Sequence, residues 1–244
     1  AGIIKCSRPV IYGGTDLTVS DLILREAKKK CSEFYSTDYF RVSDTSSDLS
    51  GTEFSFDGMG DFRMQLLGKY QVMNAATVLT AVEVLRGQRI NIPDEAVRRG
   101  LEKARWHGRF EVVRREPYVI YDGAHNPDGI RSAAESIELY FRGSDIVLLI
   151  GVMADKEYGL YTDMLGSRIR KAFTVTPDNP RALASDKLAE VFRAADIDAE
   201  PFDDLAKGVC SAYEYAKANG LPLIALGSLY MYGDFMDALN NITE

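Results

Sequence analysis

Three periodicities divide the chain into elements. Residues 9–12 form a short apolar run closed by Gly13-Gly14, the pattern of a strand ended by a turn. Val19, Leu22, Ile23 and Ala27 recur at helical spacing across residues 18–31, with Lys28, Lys29 and Lys30 in the last turn. Cations there complement the helix dipole, so the lysine run reads as a solvated helix end. Residues 43–50 are rich in Ser and Asp and read as a turn. Residues 52–56 and 62–66 alternate with period two around Asp57-Gly58-Met59-Gly60, which predicts a hairpin. Two helices follow. One covers residues 70–86, with Ala75, Val78, Leu79, Val82 and Leu85 on one stripe. The other opens at Ile92-Pro93-Asp94 and runs through Val97 and Leu101 towards Ala104.

From about residue 110 the pattern changes. Uninterrupted apolar runs at residues 118–121, 146–150, 172–175 and 223–226 alternate with amphipathic helices. The helical stripes are Ile130, Ala133, Ala134, Ile137 and Phe141; then Leu188, Val191, Phe192 and Ala195; then Leu205, Val209, Ala212, Tyr213 and Ala216. A further helix is expected near residues 158–168, and a last one after Gly227-Ser228. Strands without polar alternation are buried on both faces. The second part is therefore expected to be α/β, with a Rossmann-like, mostly parallel sheet. The expected boundary separates residues 1–110 from 111–244.

Composition narrows the function. A chain of 244 residues makes one large domain or two small ones, and 46% hydrophobic with 27% charged residues is globular. The net charge of −7 argues against nucleic-acid or anionic-membrane partners. No run approaches the roughly 18 apolar residues of a membrane span. Cys6, Cys31 and Cys210 are isolated in sequence, which argues against a disulfide framework or a zinc site and sets a reducing cytoplasm as the expectation.

Candidate chemistry lies where strands end, because ligands of parallel α/β sheets gather at carboxyl edges. After residues 118–121 comes Asp122-Gly123-Ala124-His125-Asn126-Pro127: a carboxylate, a permissive glycine, an imidazole and an amide in one strand-to-helix turn. Pro127 suits a first helical turn, with Asn126 as its cap. After residues 146–150 comes Gly151-Val152-Met153-Ala154-Asp155-Lys156, and after residues 223–226 comes Gly227-Ser228-Leu229-Tyr230, whose amides and hydroxyl suit an anion. Pro177-Asp178-Asn179-Pro180-Arg181 reads as a turn. Trp106-His107-Gly108-Arg109-Phe110-Glu111 lies at the junction, where Arg109 can reach a ligand or make a structural ion pair; nothing close in sequence orients His107. No dinucleotide fingerprint, GxxxxGK[ST] phosphate loop, serine elbow, HExxH or calcium loop occurs.

In order and spacing these segments resemble the later half of folylpolyglutamate synthase, often bifunctional with dihydrofolate synthase, within the Mur ligase superfamily. The matching stretches are Ala1-Gly2-Ile3-Ile4-Lys5; Leu66-Leu67-Gly68 with Gln71 and Asn74-Ala75-Ala76; Trp106 with Gly108-Arg109-Phe110-Glu111; Asp122 to Pro127; Asp155-Lys156; Asn179-Pro180-Arg181-Ala182; and Gly227-Ser228-Leu229-Tyr230. Tyr70 and His107 depart from the family pattern, where many relatives carry His and Pro.

The resemblance implies ATP-dependent joining of glutamate to the γ-carboxyl of tetrahydrofolate glutamates through an acyl phosphate. It extends, in bifunctional relatives, to joining glutamate to dihydropteroate. It places Asn74 on the adenine side of ATP, Arg109 at the phosphates and Asp122 on the ribose side. His125 and Ser228 would hold glutamate or the acyl phosphate, with Lys156 a further catalytic member. It implies residues 1–110 as the tail of a central ATP-binding domain, 111–244 as the glutamate-ligase domain, and a cytoplasmic monomer. The family's phosphate loop and Mg²⁺ ligands lie before the segment matched by Ala1, so this chain alone is expected to be inactive. Another Mur-type amino-acid ligase, or a non-catalytic α/β binding module, stand as alternatives.

Overall fold

The computed structural model describes residues 2–242. They fall into two compact units, Ala1–Arg105 and Trp106–Glu244.

The first unit opens with a β-α-β motif. β1 (Val10–Tyr12) and β2 (Phe34–Ser36) pair in parallel, joined by α1 (Leu17–Lys29). Asp16 caps α1 by accepting from the Val19 amide at 3.0 Å. Of the expected α1 stripe only Ala27 is buried; Leu17, Val19 and Leu22 stand exposed. An antiparallel meander follows: β3 (Val42–Asp48), β4 (Gly51–Phe56) and β5 (Gly60–Met64). The hairpin around residues 57–60 is as the alternation predicts. Residues 43–50, expected as a turn, are instead mostly strand β3, with the turn confined to their end. β3 is an edge strand paired only with β4, so its Ser and Asp side chains stay in water.

α2 (Lys69–Gly87) and α3 (Asp94–Lys103) pack on this sheet. The core joins Phe54, Phe56, Phe62 and Met64 to Val72, Ala75, Ala76, Leu79, Val97 and Leu101. The buried α2 stripe is thus rotated from the expected one, and Val78 faces outward.

The second unit is the expected α/β fold. Its elements are β6 (Glu111–Arg115), β7 (Tyr118–Asp122), α4 (Pro127–Tyr140), β8 (Ile146–Ile150), α5 (Leu160–Leu165), β9 (Ile169–Val175), α6 (Ser185–Ala194), β10 (Ala199–Phe202), α7 (Leu205–Asn219), β11 (Leu223–Leu226) and α8 (Tyr232–Asn240). The sheet order is β10-β9-β8-β11-β7-β6, parallel except for β6 at one edge. β11, last in sequence, is inserted between β7 and β8.

Alternation within the strands covers both faces. Val119, Tyr121, Val147, Leu149, Leu223 and Ala225 pack with Val209, Ala212 and Tyr213 of α7 and with Phe235 and Leu239 of α8. The intervening Ile120, Ile146, Leu148, Ile150 and Ile224 point the other way and are also fully buried. That double burial is why these strands read as continuous apolar runs.

Candidate functional site

Strand register assembles the candidate site. Leu226 of β11 stands level with Asp122 of β7 and Ile150 of β8, and Ile150 stands level with Thr174 of β9. Four strands end together, so the loops at 123–126, 151–156, 176–183 and 227–230 lie along one edge. The loops after β8 and β9 are stitched to each other: Ala154 N donates to Arg181 O at 2.8 Å and Leu183 N to Val152 O at 2.9 Å.

Glycines let these loops approach closely. A Cβ on Gly227 would lie 2.4 Å from the Gly151 carbonyl, and its φ of +112° is itself unfavourable for other residues. Gly108 and Gly123 seat the Leu229 side chain; a Cβ on either would lie within 2.6 Å of it.

Asp122 fastens two segments together. Its Oδ1 accepts from Ala124 N at 2.8 Å and its Oδ2 from Phe110 N at 3.0 Å. Gly123 N donates to Gly108 O at 2.9 Å. Arg109 therefore projects from a backbone tied on both sides to the Asp122–His125 turn. Gly108 and Phe110, flanking it, have positive φ of 70° and 42°. For a buried phenylalanine such a conformation costs about 1–3 kcal/mol and persists only where the surroundings over-determine it. Arg109 makes no ion pair among the described residues, although its charge acts on Asp122. Burial, the dominant influence, raises the Asp122 carboxyl to about 6, while both amides and Arg109 oppose the rise. It is ionised at neutral pH.

His125 is half-buried, and its Nδ1 lies 2.7 Å from the Gly123 carbonyl. A carbonyl only accepts, so Nδ1 carries the proton and Nε2 of the neutral ring is an acceptor. The next residue, Asn126, caps α4 by accepting from Gly129 N at 2.8 Å, with Pro127 in the first turn, as the sequence predicts. Tyr161, wholly buried on α5, donates to Ala124 O at 2.6 Å and holds the turn from behind.

Ser228 is buried, and its Oγ caps a short 3-10 turn (Leu229–Met231) by accepting from Tyr230 N at 3.1 Å. Its hydroxyl hydrogen remains to donate. Tyr121 donates to Ser228 O at 2.5 Å, linking β7 to the β11 loop. Burial pushes the Tyr121 and Tyr161 hydroxyls well above the ordinary tyrosine range, so both remain donors. Lys156 is half-buried and lies 3.7 Å from the neighbouring Asp155 carboxylate.

The structure thus brings Arg109, Asp122, His125, Lys156 and Ser228 to one edge of one sheet. Asn74 belongs to the first unit, on α2, where it is exposed and donates to Gln71 Oε1 at 3.1 Å.

Sequence reasoning missed one constellation. His107 is oriented after all: its Nδ1 lies 2.8 Å from Glu111 Oε1 and 3.3 Å from the Tyr232 hydroxyl. Tyr232 donates to Glu111 Oε2 at 2.9 Å, and the same oxygen accepts from Gly108 N at 2.8 Å. Burial and Glu111 push the Tyr232 hydroxyl up to about 12. Glu111, four residues on, was the available clue; Tyr232 is supplied by the fold from far along the chain. Among the described residues no group of three or more His, Cys, Asp or Glu side chains could hold a metal ion.

Comparison with known proteins places this geometry in context. Residues 108–228 match the Mur ligase glutamate ligase domain. The dihydrofolate synthase/folylpolyglutamate synthase of Bacillus subtilis is 32% identical over 246 residues, covering 98% of this chain and 56% of that protein. The folylpolyglutamate synthase structure from Thermotoga maritima superposes with a TM-score of 0.78 at 26% identity, covering 98% of this chain and 56% of that one. The Mycobacterium tuberculosis folylpolyglutamate synthase complexed with ADP and AMPPCP superposes with a TM-score of 0.81 at 22% identity, covering 96% and 55%. The chain spans a little over half the length of these relatives.

Proposed function

The chain belongs to the Mur ligase superfamily, and from that premise we propose that it serves in an ADP-forming ligase joining L-glutamate to the γ-carboxyl of tetrahydrofolate glutamates. ATP is the co-substrate that converts this carboxylate, a poor electrophile, into an acyl phosphate. The glutamate amine then attacks the acyl carbon, phosphate leaves, and the amine loses a proton.

This chain's residues have defined tasks in that scheme. Arg109 binds phosphate oxygens, which become more anionic as the transferring group loosens. Asp122 holds Arg109 and His125 in fixed relation. His125 accepts a hydrogen bond from the glutamate amine through Nε2. The Ser228 hydroxyl donates to the glutamate carboxylate or the acyl phosphate, and Lys156 adds positive charge. Asn74 contributes on the adenine side. Among the described residues no group of three or more His, Cys, Asp or Glu side chains forms a Mg²⁺ cage. We place the reaction in the cytoplasm, in a monomer, with folate and glutamate as small-molecule partners.

The observation that carries this reading is the double tie of Arg109: Phe110 N to Asp122, and Gly123 N to Gly108 O. A cation is thereby fixed beside an imidazole turn, as transfer from a phosphate to an amine requires. The test is acceptor choice, using the chain joined to whatever coding sequence adjoins residue 1 in its source. Glutamate-dependent ADP release with tetrahydrofolate is expected. Added turnover with dihydropteroate makes the enzyme bifunctional. Turnover with neither, but with another carboxylate acceptor, contradicts the folate assignment and favours another Mur-type ligase.

A further inference from the structure

Glu111 opens β6, and its half-buried side chain reaches back along the chain that leads into the strand. Its Oε1 lies 2.8 Å from His107 Nδ1. Its Oε2 accepts from Gly108 N at 2.8 Å and from the Tyr232 hydroxyl at 2.9 Å. A carboxylate only accepts, so His107 Nδ1 carries the proton. One side chain thus closes the turn of residues 107–111 from within.

α8 braces the same carboxylate through its first residue, Tyr232. The Tyr232 ring stands edge-on to buried Tyr121 at 5.0 Å and lies 5.9 Å from the His107 ring. Burial and Glu111 push its hydroxyl up to about 12, so Tyr232 donates at neutral pH.

Arg109 projects from this turn, and three backbone groups beside it have fixed partners. Gly108 N is held by Glu111, Gly108 O by Gly123 N, and Phe110 N by Asp122. Gly108 is buried with φ of +70°, and a glycine has more freedom than any other residue to leave such a conformation. The Glu111 bond secures its amide. Without that acceptor a buried N–H is left unpaired and the turn has reason to rearrange.

We propose that Glu111 is a positioning residue for Arg109, resting on Arg109 being the phosphate-binding cation of the ligase: Glu111 fixes the backbone before Arg109 as Asp122 fixes the backbone after it. Glu111 touches no reacting atom in this role. It keeps the guanidinium where phosphate charge develops, and a misplacement of about 1 Å in a reacting constellation costs on the order of a hundredfold in rate. Tyr232 and His107 in turn hold the carboxylate.

The test is a double-mutant cycle between positions 109 and 111, read as kcat for glutamate-dependent ADP release with the source reading frame. Glu111→Ala is expected to lower kcat about tenfold or more when Arg109 is present. In the Arg109→Ala background the same change should cost less than about twofold, because the group it positions is gone. Glu111→Gln retains an oxygen for Gly108 N and Tyr232 and should keep about half the rate or more. Tyr232→Phe preserves the ring and removes only the bond to Oε2. It repeats the cycle where Glu111→Ala does not fold, and its loss is likewise expected only with Arg109 present. Equal fold-losses in both backgrounds, as plain destabilisation of the fold would give, overturn the positioning role. So does a loss in Glu111→Gln as large as in Glu111→Ala. No turnover by the unaltered protein with any carboxylate acceptor defeats the ligase reading itself, and the positioning role with it.

Discussion

Asp122 shows how one side chain sets the geometry of this site. Its carboxyl sits at about 6 in the fold, against 3.8 for the free side chain, because burial outweighs its two amide donors. The native state keeps this proton to higher pH than the unfolded chain does. The stability contributed is therefore complete well below the free value, by about pH 3, and is lost as pH rises through about 6 to about pH 7, a change of about 3 kcal/mol. Asp122→Asn does not titrate. Denaturant unfolding should show the unaltered protein losing about 3 kcal/mol relative to this variant between about pH 3 and pH 7; a difference that stays constant with pH contradicts this. The residues of this site were unevenly legible. Asp122, His125 and Ser228 could be picked out because each follows an apolar run, where a parallel sheet exposes its carboxyl edge. Tyr161 and Tyr121, which brace those loops, could not, since their hydroxyls reach carbonyls 37 and 107 positions away. For the same reason the partners of His107 stayed hidden.

Elements were legible where they are buried. β7, β8 and β11 announce themselves because both faces are covered. β6 and β10 do not, because they are the sheet's edges and carry the residues edges tolerate: Glu111, Arg114 and Arg115 in one, Glu200 and Pro201 in the other. β3 was hidden in the same way. Close approach between elements gives two predictions. Gly227→Ala places a methyl against the Gly151 carbonyl in an unfavourable backbone region. It should destabilise the second unit by about 3 kcal/mol or more, read from the shift of the denaturant midpoint. Asn126→Ala removes the cap on α4 and should cost about 1 kcal/mol, with Asn126→Asp recovering most of it. Equal stabilities of the Ala and Asp variants would remove the cap from the account.

At the scale of the whole molecule, two compact units meet between Arg105 and Trp106, and the pattern of the sequence changes near residue 110. Among the described residues, four carboxyl strand ends stand level in the second unit and two in the first. The innermost strands of the second unit, β8 and β11, should exchange their amides more slowly than β3 of the first unit, whose pattern is mostly exposed. Hydrogen exchange read by mass spectrometry checks this, and equal protection would contradict it. We propose that the edge carrying Arg109 and His125 is where glutamate is joined to an activated carboxylate. The most direct measurement is incorporation of labelled glutamate into tetrahydrofolate glutamates, made with the source reading frame. The unaltered protein is compared with Arg109→Ala, His125→Ala and, at the opposite end of the sheet, Lys217→Ala. A loss of about a hundredfold or more is expected for the first two and no change for the third. Equal activity in all four would contradict it.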